Sequence, residues 1–308
     1  MKFNVRRGNV QTPNSLDVRL YNVSDNTAKA LMLGNLRGTQ PAGVVDQSPE
    51  FKNITLSAGY RNAQNGLIFQ GAIIQCRYGR ESPADTYLDI RAADGDSAYN
   101  YAVINTNLVA GSTPTQQLNV ITKAAGVSQG FIPILSTQQL PRGKVFFGMV
   151  RDSARDHAQT QGANWSIEDG QYQMTKQTQF VPDQVVVLNS ATGMINWPEQ
   201  TANGIHVRSL LNSNLKIGRV IQIDNKSILN FQFPLDVPSQ PNLALVPRTD
   251  ADGYYVVWFA EHTGDTRGNE WYTDVICLRA DTNEINNLLQ AGRLTAAGIN
   301  NIVVKPYG

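Results

Sequence analysis

Between residues 51 and 94 the sequence leaves little room for anything but consecutive strands. Runs 54–60, 67–78 and 86–92 are rich in β-branched and aromatic residues, and the breaks between them carry Asn65-Gly66 and Ser82-Pro83. Asn-Gly readily takes the positive φ values of a tight turn, and proline fixes φ while removing a donor, so each break reverses the chain. Upstream, Leu16-Asp17-Val18-Arg19-Leu20-Tyr21 alternates apolar with polar and reads as a further strand with one face buried.

The texture changes near residue 110. Gly111-Ser112-Thr113-Pro114, followed by Leu118, Ile121, Ala125 and Gly126, has a hydroxyl cap, proline in the first turn, helical spacing and a glycine stop. A second helix is expected from about Lys144, where Phe147, Val150, Ala154 and Ala158 recur beside Arg151, Asp152, Arg155 and Asp156. Trp165 to Met174 alternates around Asp169-Gly170 and predicts a hairpin. Strand texture returns at 184–188, 204–211, 218–223, 253–262 and 270–279, with a polar hairpin loop at 263–269. Asp281 and Glu284 form a capping-box pattern before Ile285, Leu288 and Leu289, predicting a helix close to the C-terminus. The order is β, then α+β, then β, with no short solenoid repeat. Cys76 and Cys277 lie far apart in apolar runs and are expected to be buried thiols.

Composition narrows the function. Only 17% of the 308 residues are charged and the formal net charge is +1, so a basic nucleic-acid-reading face is excluded. Asn, Gln, Thr and Ser supply the polarity instead, which suits a surface in permanent contact. No apolar run approaches the roughly 18 residues of a membrane span. The residues after Met1 lack the apolar core of a signal peptide, so synthesis in the host cytoplasm is expected.

Catalytic groups are scarce. His157, His206 and His262 are the only histidines, and each reads as a surface or capping residue. Among carboxylates facing a cleft, as a glycosidase requires, the candidates are Glu168 with Asp169, Asp265 with Glu270, and Glu261. Asp169 is taken by a turn, and Asp265 and Glu270 lie beside Arg267, where solvated ion pairing explains them. Asp250-Ala251-Asp252-Gly253 begins like a calcium loop but stops too soon, and Asp94-Gly95-Asp96 reads as a turn. The aromatics of 254–259 with Trp271 and Tyr272 split between core and a partner surface. No catalytic, cofactor-binding or metal residue is therefore assigned, and no enzyme activity is expected.

Two stretches resemble a known family. One runs from Ile54 through Gly59-Tyr60, Leu67-Ile68-Phe69-Gln70-Gly71-Ala72-Ile73 and Ala93-Asp94-Gly95-Asp96 to Ala110-Gly111-Ser112-Thr113. The other joins Thr192-Gly193-Met194-Ile195-Asn196-Trp197-Pro198-Glu199-Gln200-Thr201, Gly204 to Asn212, Leu215-Lys216-Ile217-Gly218, Gly253-Tyr254-Tyr255 and the loop from His262 to Tyr272. These are similar to the baseplate hub proteins of contractile-tailed bacteriophages, over residues 1 to about 280. The resemblance implies a mainly β chain in which two tail-tube-like β-barrel or sandwich domains, at 1–100 and 181–308, flank a middle α+β domain at 101–180. It further implies a homotrimer forming a pseudo-sixfold ring in the virion, between a central spike protein and the tail tube or tube-initiator protein, beside other baseplate proteins. The bore would let DNA pass without specific binding. A tube initiator or distal tail protein is the alternative within tails, and a peptidoglycan-degrading tail enzyme the alternative outside structural roles. Polar strand edges such as 70–77 are expected to pair with neighbours.

Overall fold

The computed structural model describes residues 1–9, 11–32, 52–61, 65–176, 179–201, 204–223 and 253–280. Lys2–Gly8 (β1) and Ser15–Tyr21 (β2) pair antiparallel and lead to a short helix, Asp25–Met32 (α1). Asn53–Gly59 (β3), Asn65–Arg80 (β4) and Thr86–Ala93 (β5) are the three expected strands, but Asn65-Gly66 is not a turn: both residues open β4, paired with Gly59 and Ala58. The middle of the chain holds Asp96–Asn100 (α2), Val103–Leu108 (β6), Pro114–Ala125 (α3), Ser128–Gln129 (β7), Lys144–Met149 (β8), Val150–Thr160 (α4), Asn164–Glu168 (β9) and Gln171–Thr175 (β10). Val186–Leu188 (β11), Met194–Thr201 (β12), Gly204–Leu210 (β13), Val220–Ile223 (β14), Tyr254–Asp265 (β15) and Trp271–Arg279 (β16) follow. The chain is mainly β, with an α+β insertion. The calcium-like motif at 250–252 and the C-terminal helix lie outside the described residues.

Local chemistry accounts for most of these boundaries. Helix α3 opens on a capping box, in which Thr113 Oγ1 accepts from the Gln116 N–H and Gln116 Oε1 accepts from the Thr113 N–H, and ends at Gly126 with φ 69°. The β9–β10 hairpin turns at Asp169 and Gly170, both at positive φ, the geometry that Asp-Gly favours. The second helix starts later than its spacing predicts. Val145 and Phe147 face solvent while Phe146 is buried, a period of two, so Lys144–Met149 is a strand paired with β6 and the helix begins at Val150. Strand β1, not anticipated from the sequence, is the most consequential addition.

Among the described residues, eleven strands make one sheet whose main path is β12-β13-β16-β15-β1-β2-β5-β4-β3, with β14 on β15 and β11 on β14. The path contains a repeat. In the first unit, β1 to β5 lie in the order β1-β2-β5-β4-β3. In the second, β12 to β16 lie in the order β12-β13-β16-β15-β14, the same permutation with every neighbouring pair antiparallel. The irregularities coincide as well. The register slips at Ile74 between β4 and β5, and at Trp258 between β15 and β16. Just before each slip, Ile73 N–H donates to the Lys52 carbonyl at 2.8 Å and Val257 N–H to the Arg219 carbonyl at 2.9 Å. The match superposes Leu16 on Ile205, Val18 on Val207, Arg19 on Arg208, Tyr87 on Tyr272 and Asp89 on Asp274.

Each unit keeps its own apolar core: Phe3, Val5, Leu16, Phe69 and Leu88 in the first, and Leu188, Ile205, Tyr255, Val257 and Val275 in the second. A third core belongs to the insertion, where Tyr99, Trp165 and Tyr172 stack at centroid distances of 4.9 and 5.6 Å. Strand β1 pairs with β2 on one side and β15 on the other, so it closes the seam between the two units.

Candidate assembly interface

Alternation along β1 gives the sheet two unlike faces. Phe3, Val5 and Arg7 point to the buried side, while Lys2, Asn4 and Arg6 point to the other. On the buried side the insertion is keyed into the seam by the tip of its β9–β10 hairpin. Arg7 is 1% exposed; its Nη1 donates to Glu168 Oε2 at 3.1 Å and its Nη2 to Asp169 Oδ1 and to the Ile68 carbonyl. Lys216, from the second unit, donates to Asp169 Oδ2 at 2.7 Å. Asp94, from the first unit, accepts from the backbone N–H groups of Asp169 and Gly170. One hairpin turn thus touches both units at once.

The charges in this cluster are strongly coupled. Burial disfavours the Arg7 charge, but Glu168 and Asp169 outweigh it and hold the guanidinium above its usual range. Burial pushes Asp169 up, yet Arg7 and then Lys216 overcome it and hold the carboxyl low. For Glu168 burial wins over Arg7 and its carboxyl is raised. Asp94 is pushed up to about 8 by burial and then by Glu168. These acids are committed to holding the insertion in place, beside an open cavity of about 360 Å³ that Glu168 and Asp169 line with Lys216 and Arg219.

The opposite face is a ladder of cross-strand ion pairs. Arg19 is bidentate to Asp89 at 2.6 and 2.9 Å and lies over the Tyr87 ring. Its counterpart Arg208 is bidentate to Asp274 at 2.8 and 3.2 Å and lies over the Tyr272 ring. Between them, Arg91 pairs with Asp17, Arg6 with Glu261 and Lys2 with Asp265. A concavity of about 630 Å³ on this face is lined by Lys2, Arg19, Arg77 and Arg91 against Asp17, Glu81, Asp89 and Glu270, so the two signs balance.

The residues singled out from the sequence fall into place with several corrections. His157 and His262 are buried, at 2% and 1% exposure, not surface residues. His157 follows the apolar stripe of α4, and His262 shares the inward parity of Ala260 and faces Thr273 Oγ1 at 2.9 Å. Burial, followed by nearby cations, holds His157 down to about 4 and His262 to about 3, so both are neutral. His206 is partly exposed, 3.3 Å from Asp274. Asp265 takes its side-chain partner from Lys2 across the seam, and Arg267 contributes only its backbone N–H. Cys277 is buried, but Cys76 is only partly so. Within the expected edge at 70–77, Gln70, Gly71 and Ala72 already pair with β3. Glu168 with Asp169 faces Arg7, a residue the sequence reading passed over because its strand was not recognised. Among the described residues no group of His, Cys, Asp and Glu has the arrangement of a metal site, and no helix is long and apolar enough to cross a membrane.

Comparison with known proteins bears on this architecture. The family of baseplate hub gp41 proteins matches residues 1–233. The chain belongs to this family. Among solved structures, the hub chain is similar to a 43 kDa tail protein of prophage MuSo2 from Shewanella oneidensis, at 8% identity and TM-score 0.52, covering 90% of this chain and 93% of that one. It is also similar to the E. coli c3393 protein, described as a type VI secretion component resembling T4 tail proteins gp27 and gp5, at 9% identity and TM-score 0.56, covering 92% and 74%. At such identities the likeness concerns the fold. No curated protein sequence matches the hub chain. Family membership makes it a structural protein of a phage tail baseplate and implies a place in the virion.

Proposed function

We propose that three copies of the chain form a ring of six similar units that joins the tail tube of a contractile tail to its central spike and leaves a bore for DNA. The observation that carries this reading is the repeated strand order, five strands in one permutation twice in a single chain, with the same arginine, aspartate and tyrosine on the second and fifth strands of each. A trimer of such a chain offers a threefold partner three equal sites and a sixfold partner six nearly equal ones. The charge-balanced ladder is the face turned to the bore. It is concave and lies opposite the insertion, and its paired charges present DNA with no net attraction. We also propose that the chain is not an enzyme, since Glu168 and Asp169 hold the insertion to the sheet.

The test is the particle mass in solution, for the 33.8 kDa chain alone and mixed with its spike and tube proteins. A trimer, formed alone or with the spike, is the expected result. A monomer at high concentration in every mixture would overturn the ring.

A further inference from the structure

We infer that the outer edge of β12 in one copy pairs with the second half of β4 in the next, so that the β1–β15 seam inside each chain is repeated between chains. This rests on the ring reading above and specifies its contact. Within the chain, the first strand of unit one docks on the fourth strand of unit two: β1 lies along Phe259 to Asp265, just past Val256, where pairing with β14 ends. The corresponding first strand of unit two is β12, which ends the sheet path among the described residues. The corresponding fourth strand of unit one is β4, where register pairing with β3 ends at Ala72. Joining β12 to β4 continues the same order of strands from one chain into the next, a head-to-tail contact of the kind that closes into rings.

The coincident bulges fix the register. Since Ile74 matches Trp258, Arg77 takes the place of Glu261. Since Thr201 faces Gly204 as Arg6 faces Ser15, and Glu199 faces His206 as Asn4 faces Asp17, Thr201 and Glu199 take the places of Arg6 and Asn4. Inside the chain, Asn4 Nδ2 donates to Glu261 Oε1 at 2.7 Å. Between chains the same two places bring Glu199 onto Arg77. Both are exposed, and neither makes an ion pair among the described residues. The charge is complementary, with its sign reversed on the fourth strand: an acid there within the chain, a base there between chains.

Apolar exposure lies on the same two edges. Ile74 is 43% exposed and Trp197 62% exposed, and in this register they lie at opposite ends of the contact. Trp197 belongs to the bulge of β12, where Asn196, Trp197 and Pro198 oppose the single residue Val207. Proline has no N–H to lose on an edge strand, so Pro198 is compatible with pairing on either side of the bulge.

Charge reversal tests the contact in the full chain, in whichever mixture gives the trimer. Glu199→Arg and Arg77→Glu each set like charges together, and each is expected to raise the concentration for half-assembly about tenfold. The double variant restores the pair in reverse and is expected to return within about threefold of the parent. Sedimentation equilibrium reads all four proteins. If the parent is trimeric and the single variants assemble as it does, or the double variant is no better than the singles, the β12–β4 contact is wrong and the ring stands. If the parent is monomeric throughout, ring and contact fall together.

Discussion

Truncating Arg7 strands a buried carboxylate, Glu168. Arg7→Ala leaves Glu168 without its cation and Asp169 with Lys216 alone, and the loss of one partner of a buried charged cluster costs about 3–5 kcal/mol. Urea unfolding should register that loss, and a variant within about 1 kcal/mol of the parent would contradict the role given to Arg7. His262 makes a prediction of opposite character. Its folded pKa, about 3, lies below the unfolded value of about 6.5, so the unfolded chain takes up a proton first as pH falls. Its contribution is therefore complete above the unfolded value and is lost on acidification, by about tenfold in the folding constant per pH unit. His262→Gln removes that proton, so the stability gap between parent and variant should shrink from pH 7 to pH 4; parallel curves would reject the assignment. The inward parity of His262 with Ala260 was readable in the sequence. What hid it was the strand's length: β15 runs to Asp265, so a residue taken for a strand end is interior.

Elements bounded by strong turn chemistry were legible, and those without it were not. Asp169-Gly170 and Thr113-Pro114 mark boundaries where the structure has them, whereas Asn65-Gly66, expected to be a turn, is already paired strand at the start of β4. Strand β1 carries Arg6 and Arg7 side by side and has no turn signal before it, and one of its two sides pairs with partners more than 250 residues away, which no local pattern encodes. That pairing also makes β1 intolerant of proline. Val5 is fully buried and faces Leu16 on one side and His262 on the other, so Val5→Pro deletes an inter-strand donor in the middle of the sheet. Circular dichroism should then show no cooperative melt. Strand β12, the end strand, already contains Pro198.

At the scale of the whole molecule, the duplication is faint but present in the sequence. Val18-Arg19 recurs as Val207-Arg208, and Tyr87-Leu88-Asp89-Ile90 as Tyr272-Thr273-Asp274-Val275. A search for short repeats misses it because the copies lie about 185 residues apart and match only where a side chain serves the same cross-strand contact. The low charge content also has its place. Most of the charge on the open face is paired across strands, leaving little to attract or repel a polyanion.

The hairpin tip has a mechanical consequence. The β1–β15 seam is a set of rungs that share a load pulled along the strands but open one after another when pulled apart sideways. Asp169 spans the seam, holding Arg7 of one unit and Lys216 of the other, while Asp94 grips the same turn from behind. Peeling the seam therefore cannot begin until the turn is withdrawn, and the insertion works as a rivet through the sheet's weakest direction.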